Sequence, residues 1–370
     1  MNLVFSTLHR RKEDNKFYIL DKDIKEEVQL LPMFDEGYDC PEAYAFAGVK
    51  GYEPMTAKEI DTEEQQNVEL ENENNFIEEK FDGTRGIVQF FSQSTVEGNE
   101  IGFARVFSRR ISKKTNFYAE NTDSLPQIRD INIPDMAGTI LDGELFIDGL
   151  PFKEVSSTLN CLWDKAVDRQ IEKGFISLHT FDIIKYKGID LRKMTLENRK
   201  RYLHLVIEEI NSPYIQEVEY YDCGDNIKVN VQDEVLKRIP MTNENQYYYE
   251  LEKNKDTYPS LYNCWVNDLP LTPKAYYELI VSTGGEGVIV KPKRGRYYHK
   301  RGREYQKIKK FLTRELILIG FEEPTKEYTG KDKKNWGYWE GDIPVTKHYY
   351  NKQVGNLILG VAITPDEFIK

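Results

Sequence analysis

A lysine set between two apolar runs constrains this chain more than any other feature. Phe76 and Ile77 lead into Glu78-Glu79-Lys80-Phe81-Asp82-Gly83-Thr84-Arg85-Gly86, and Ile87 to Phe91 lead out. Asp-Gly between apolar runs predicts a hairpin-type turn, so the stretch reads strand, tight turn, strand. A lysine titrates near ~10.4, and only about one in a few thousand is neutral and nucleophilic at pH 7. Nearby cations or a metal raise that fraction. Arg85 keeps its charge and offers a planar fork to a phosphate or sugar. Gly83 lets the backbone approach a ligand closely.

Composition narrows the class. With 370 residues, 39% hydrophobic and 31% charged, the chain can bury two or more cores. It holds no 18-residue apolar run, and Met1 to Arg11 lack a signal-peptide core, so a cytoplasmic protein is expected. Cys40, Cys161, Cys223 and Cys264 show neither zinc spacing nor a disulfide framework. The net charge of −11 argues against a nucleic-acid partner, but its distribution matters more. Acid gathers between Glu59 and Glu79. Lys291 to Arg314 carries eleven Lys and Arg, with Glu304 as its one acid. Such a basic stripe can grip a phosphate backbone.

Further elements follow from pattern. Phe5 to Arg10 and Lys16 to Leu20 flank a polar turn and predict a hairpin. Glu59 to Asn75 reads as an exposed helix or loop. Val106 to Arg110 ends a strand. Thr139 to Gly149 reads as strand, turn, strand, with Asp142-Gly143 at the turn. Phe152 to Lys173 predicts one or two helices stopped by Gly174, and Ile176 to Ile184 a strand. Thr195 caps an amphipathic helix with Leu196, Leu203, Val206, Ile207 and Ile210 on one face. Residues 211–271 are polar, rich in tyrosine and read as partly inserted. Thr272-Pro273 starts a helix that ends near Gly284-Gly285. Glu286 to Lys291 is a strand. Lys307 and Lys309, two apart, share one face of another. Glu315 to Phe321 and Val354 to Ala362 are strands around a polar, aromatic stretch.

Lys80-x-Asp82-Gly83-x-Arg85 resembles the nucleotidyl-transfer motif of ATP-dependent DNA ligases, a family related to RNA ligases and mRNA-capping enzymes. Ser108-Arg109, Leu141-Asp142-Gly143-Glu144-Leu145, Phe181-Asp182-Ile183-Ile184, Glu286-Gly287-Val288-Ile289-Val290-Lys291 and Lys307-Ile308-Lys309 resemble its further motifs, in order. Pro54-Met55 resembles the short element ahead of the lysine. The resemblance implies that Lys80 attacks the ATP α-phosphate and carries AMP. It places Glu78 near the adenine amino group, Phe181 on the purine, Arg109 on phosphate, Lys291 on nucleotide or phosphate, and Lys307 and Lys309 on the α-phosphate. Glu144 becomes an inward carboxylate for ribose or metal, and Glu286 a metal-side carboxylate. ATP and Mg2+ (Mn2+ as substitute) are implied, with nicked double-stranded DNA as partner, no membrane, and a monomer of bacteriophage or viral type in a host cytoplasm.

The implied fold is α+β. An N-terminal β-rich extension covers residues 1–50. An ATP-grasp-like nucleotidyltransferase, two antiparallel sheets flanked by helices, covers 51–311. A partial OB-fold β-barrel covers 312–370. DNA ligases carry a late arginine-containing motif that orients the outer phosphates; here no arginine follows Arg314. The expectation is a chain completed by a missing C-terminal segment or a second polypeptide, or one in which Lys331, Lys333 or Lys334 clamps the phosphates. Three other classes stay open. An RNA ligase or capping enzyme would keep the same motifs. A non-catalytic nick-binding protein would not need Lys80, Glu144 and Glu286. A hydrolase using Glu144 and Glu286 leaves the clustered lysines unexplained.

Overall fold

The computed structural model describes residues 8–10, 17–20, 27–29, 54–95, 98–111, 118–225, 227–310, 317–330 and 336–360. The chain divides into two compact units, Met1–Lys310 and Phe311–Lys370. Arg314, Lys331, Lys333 and Lys334 lie outside the described residues. Among those described, no helix is long and apolar enough to cross a membrane.

The first unit opens on β1 (Leu8–Arg10), β2 (Phe17–Leu20) and β3 (Glu27–Gln29), an antiparallel meander. The β1–β2 pairing matches the expected hairpin, with His9 opposite Tyr18. Then come β4 (Thr56–Glu59), β5 (Asn75–Glu79), β6 (Thr84–Ser94), β7 (Glu100–Ile111), β8 (Tyr118–Glu120) and β9 (Ile140–Phe146). They are followed by β10 (Ser177–Tyr186), β11 (Ile189–Asp190), β12 (Ile215–Glu217), β13 (Tyr220–Asp222), β14 (Gly287–Pro292) and β15 (Arg301–Lys309).

These twelve strands build two sheets. The larger runs β11-β10-β9-β6-β7-β8, with β12 beside β10; the smaller runs β13-β5-β14-β15-β4. Neighbours are antiparallel except β10–β12 and β4–β15. The fold is α+β, with the helices flanking the sheets. The larger sheet packs Leu141, Leu145, Leu178 and Ile183 against Leu203, Val206 and Ile210 of the helix Leu196–Ile210. Thr195 caps that helix and Asn211, in the left-handed region, ends it. The smaller sheet packs Ile77, Val288, Val290 and Ile308 against the helix Pro273–Ser282, which Thr272 caps. A third cluster, from Met55, Ile87, Ile140, Ile184 and Tyr305, lies between the sheets.

Two expectations need correction. The turn at Asp82-Gly83 does not close a hairpin. β5 pairs with β13 and β14, whereas β6 pairs with β7 and β9, so Lys80 lies where the chain crosses between sheets. Asp142-Gly143 is no turn either, but the middle of β9. A Cβ on Gly143 would lie 2.6 Å from the His179 carbonyl oxygen, so glycine serves close strand packing there. The weak periodicity of segment 211–271 hides three helices. Its helices Val231–Arg238, Glu244–Lys253 and Pro259–Val266 bury Val235, Leu251 and Leu261 in the second core. Tyr247, Tyr248 and Tyr258 pack at its edge, and these large polar-tipped rings blur the apolar period.

The remaining helices follow their signals. Phe152–Leu159 and Trp163–Lys173 are two, with Gly174 capping the second at φ 111°. Glu63–Leu70 forms in the acidic stretch, capped by Thr62. In the second unit β16 (Ile317–Glu322) pairs antiparallel with β19 (Asn356–Gly360). Between them β17 (Trp339–Glu340) and β18 (Ile343–Pro344) form a small antiparallel pair. This is the antiparallel β pattern of a partial OB-type barrel.

Candidate active site

Lys80 follows directly on β5, and its amide donates to the Gly287 carbonyl at 2.9 Å. One residue earlier, Glu79 accepts both Arg238 terminal nitrogens at 3.0 and 2.7 Å, tying β5 to the helix Val231–Arg238. Backbone and side chain thus hold the chain at Lys80 and at the residue before it. A cleft of about 870 Å³ opens beside it. Nine of the ten residues singled out in the sequence line this cleft: Glu78, Lys80, Arg85, Arg109, Glu144, Phe181, Lys291, Lys307 and Lys309. The tenth, Glu286, pairs with Lys80 through one oxygen and with Lys309 through the other.

Glu286 sits in a tug of war. Burial alone would raise its carboxyl, but hydrogen bonds from Lys309 and Lys80 outweigh that and hold it below the ordinary carboxylate range. These side chains remain 22–32% exposed, so water reaches them. Lys307 pairs with Glu59 of β4 at 2.6 Å. Glu144 lies opposite Arg85 in the β6–β9 register. Its carboxylate makes no ion pair among the described residues, and burial pushes it up to about 7. Arg109 stands exposed at the end of β7, where it can turn toward a ligand.

The back wall is built differently. Glu78 takes Lys291 at 2.5 Å and Lys200 at 2.7 Å, and all three side chains are at most 2% exposed. Burial lowers Lys291 to about 8 even beside that carboxylate. Phe181 is half-buried, with the Arg85 guanidinium carbon and the Lys291 ammonium each 4.5 Å from its ring centre. The Arg85 fork is committed to the Asp142 carboxylate, and one arm also donates to the Met55 carbonyl at 2.9 Å. In this structure Arg85 therefore shapes the pocket beside Phe181 rather than presenting a free fork.

Several residues that build the site were missed. Asp142 is fully buried and accepts from Arg85 and, at 2.7 Å, from the Tyr297 hydroxyl. Asp182 accepts both arms of Arg199 at 2.7 and 2.8 Å, and also the Tyr305 hydroxyl. Burial would raise Asp182, but Arg199 outweighs it and the carboxyl sits below its ordinary value. Asp142 and Asp182 lie inside stretches quoted as motifs, next to the residues that drew attention. Arg199 and Lys200 carried no signal, because charges on a helix read as a solvated face.

The donor set bears on a metal. Among the described residues no group of three or more His, Cys, Asp or Glu is placed to hold a metal ion. Glu286 has both oxygens committed to lysines, whereas Glu144 is a hard, unpaired oxygen donor in the cleft. That suits a magnesium ion carried in on phosphates and held by one carboxylate.

Residues 54–239, half of the chain, match the family described as ATP dependent DNA ligase domain. A DNA ligase of Halorubrum lacusprofundi is 32% identical over 165 residues, covering 40% of this chain and 24% of its own length. The chain thus spans about a quarter of that curated relative. Among solved structures, a mycobacterial DNA ligase D complexed with ATP and MES is 17% identical, with 73% of this chain and 64% of that one covered at a TM-score of 0.41. The ATP-dependent DNA ligase of bacteriophage T7 in complex with ATP is 15% identical, with coverages of 85% and 83% and a TM-score of 0.37.

Proposed function

This chain belongs to the ATP-dependent DNA ligase family, and on that premise we propose that it seals nicks in duplex DNA through an AMP adduct on Lys80. The observation that carries the proposal is the pinned Lys80 on the cleft wall, its ammonium paired with a carboxylate shared with Lys309. Lys309, on the other oxygen of the same carboxylate, keeps a second cation near the Lys80 ammonium and favours loss of its proton to solvent. The free Nζ attacks the ATP α-phosphorus, a phosphorus–nitrogen bond forms, and the bond to the leaving pyrophosphate breaks. Lys309 and Lys307 offset charge on the non-bridging oxygens. An oxygen of a DNA 5′-phosphate then displaces Lys80 from the adenylate. Finally the 3′-hydroxyl attacks that 5′-phosphate and AMP leaves.

Phe181 stacks on the adenine, Glu78 faces its amino group, and Lys291 donates beside them. Arg85 keeps Phe181 in place, and Arg109 reaches sugar or phosphate. Magnesium would be held by Glu144 and the substrate phosphates, and it supplies charge neutralisation at the triphosphate. We also place the chain with the bacteriophage or viral ligases of a host cytoplasm, because its motifs fit between Lys80 and Lys309 in one compact segment. A monomer with residues 1–50, 51–311 and 312–370 as successive domains completes the proposal.

The test is incubation with ATP labelled at the α-phosphate, plus magnesium, followed by mapping of the modified peptide. Label on the peptide carrying Lys80 is expected, and label on another lysine overturns the assignment. GTP in place of ATP separates this reading from a capping enzyme. Joining of a nicked duplex tests the later steps.

A further inference from the structure

The helix Leu196–Ile210 turns two consecutive cations inward. Arg199 and Lys200 are each 1% exposed, although their neighbours Glu197 and Arg201 face solvent. The first turn is tethered, with the Leu196 amide on the Gly295 carbonyl at 2.8 Å and the Glu197 amide on the Lys293 carbonyl at 3.0 Å. Arg199 clamps Asp182, the neighbour of Phe181. Lys200 reaches Glu78, and its ammonium lies 4.5 Å from the Tyr220 ring centre. It does not line the cleft, whereas Glu78 and Lys291 do.

We infer that Lys200 is a positioning residue for base recognition: it fixes the Glu78 carboxylate so that this group accepts a hydrogen bond from the exocyclic amino group of a base stacked on Phe181. This rests on the cleft being the ATP site, and deepens that reading. A carboxylate only accepts, and its two oxygens offer about four lone-pair positions. Lys291 takes one on Oε2, and the Lys200 ammonium stands 2.7 Å from Oε1 as an ion pair. A cation beside each oxygen holds the orientation of the carboxylate, and Oε1, without a hydrogen-bond partner among the described residues, is left for a donor from the cleft. Lys291 alone would not do this. Its ammonium also lies 4.5 Å from the Phe181 ring centre and 4.4 Å from that of Tyr305, so a carboxylate tied only to it could follow it toward the rings. Lys200 anchors the far side.

The experiment measures lysyl-nucleotide formation by the full chain with two substrates, ATP and the triphosphate whose purine lacks the 6-amino group. A hydrogen bond to a charged group is worth about tenfold or more in affinity, so the wild type prefers ATP by that factor in KM. In Lys200→Met the preference collapses toward unity, chiefly through a higher KM for ATP. Lys200→Arg, which keeps the charge, retains most of it. Circular dichroism checks the fold, and Lys200→Gln replaces the Met variant if that one does not fold. An undiminished ATP preference in the neutral variant overturns the inference. So does an equal loss of affinity for both nucleotides, which marks Lys200 as merely structural. A wild type that takes label from neither triphosphate overturns the ATP-site reading itself, a result distinct from both.

Discussion

Two clusters in this cleft have one composition and opposite surroundings. Each is a glutamate between two lysines, and each draws on β5 and on the start or body of β14. In one, Glu286 joins Lys80 and Lys309, with side chains 22–32% exposed. In the other, Glu78 joins Lys291 and Lys200, with side chains at most 2% exposed. Water decides what each can do. In a wet cluster the pairing energy is small, about 0–1 kcal/mol, so partners exchange easily for an incoming phosphate. In a dry one, breaking a pair strands a charge where nothing else can solvate it. Residues 78 and 80 lie two apart on the chain, yet one sits in a dry frame and the other on a wet cleft wall.

The largest expected effect falls on the wet cluster. Lys80→Ala should abolish the covalent AMP adduct, and Lys80→Arg should fail equally, because a guanidinium stays protonated. Melting temperature should barely change, since only a water-exposed pair is lost. A marked loss of stability in either variant would place Lys80 in the frame and erase the contrast.

Next comes the dry cluster. Glu78→Ala leaves two ammoniums buried without their carboxylate and should cost about 3–5 kcal/mol in denaturant unfolding. Glu286→Ala, the matching change in the wet cluster, should cost about 1 kcal/mol or less. Equal costs would break the comparison. Phe181 lies between the two regimes, being half-buried against the third core. Phe181→Ala should weaken ATP binding by about 1–3 kcal/mol if stacking dominates, read by titration with ATP alongside melting of the same variant.

The smallest effect is a pH dependence at Glu144. Its carboxyl is raised to about 7 by burial, against an ordinary 4.5. Below the ordinary value both folded and unfolded chains hold the proton, and the group contributes nothing. Above 7 both have lost it, and the fold bears the whole cost of a buried charge. Stability should therefore fall as pH rises from about 4.5 to 7. Glu144→Gln should remove that slope, gaining about 1 kcal/mol at pH 8 once partial exposure is allowed for. Unfolding curves of both proteins at pH 5 and 8 check it.

Much of the site was legible because its chemistry is local in sequence. Lys80, Glu144, Phe181, Glu286, Lys307 and Lys309 fall in short motifs that resemble those of the family, and alternation put Lys307 and Lys309 on one face. The caps at Thr195 and Thr272 were legible for the same reason: a hydroxyl satisfies an amide three residues on. What stayed hidden was long-range. Nothing near Arg199 or Lys200 announces that their partners are Asp182 and Glu78. Asp-Gly at 142–143 carries a turn propensity that strand packing overrode, since Gly143 faces Gly86 on β6 and Thr180 on β10. The tyrosines of 244–262 blurred a helical period that tertiary burial made real.

By itself, then, the amino-acid sequence determined the order of the candidate site groups, the helix ends and most strand positions. Each depends on neighbours within a few residues, where bonded geometry and side-chain type decide the outcome. Only the tertiary structure decided that β5 and β6 part into different sheets. That divergence places Lys80 at the crossing and opens the cleft. It decided, too, which of two identical glutamate–lysine clusters is wet. Burial is a property of what the rest of the chain lays over a residue, and no local pattern encodes the solvent that a charge will meet.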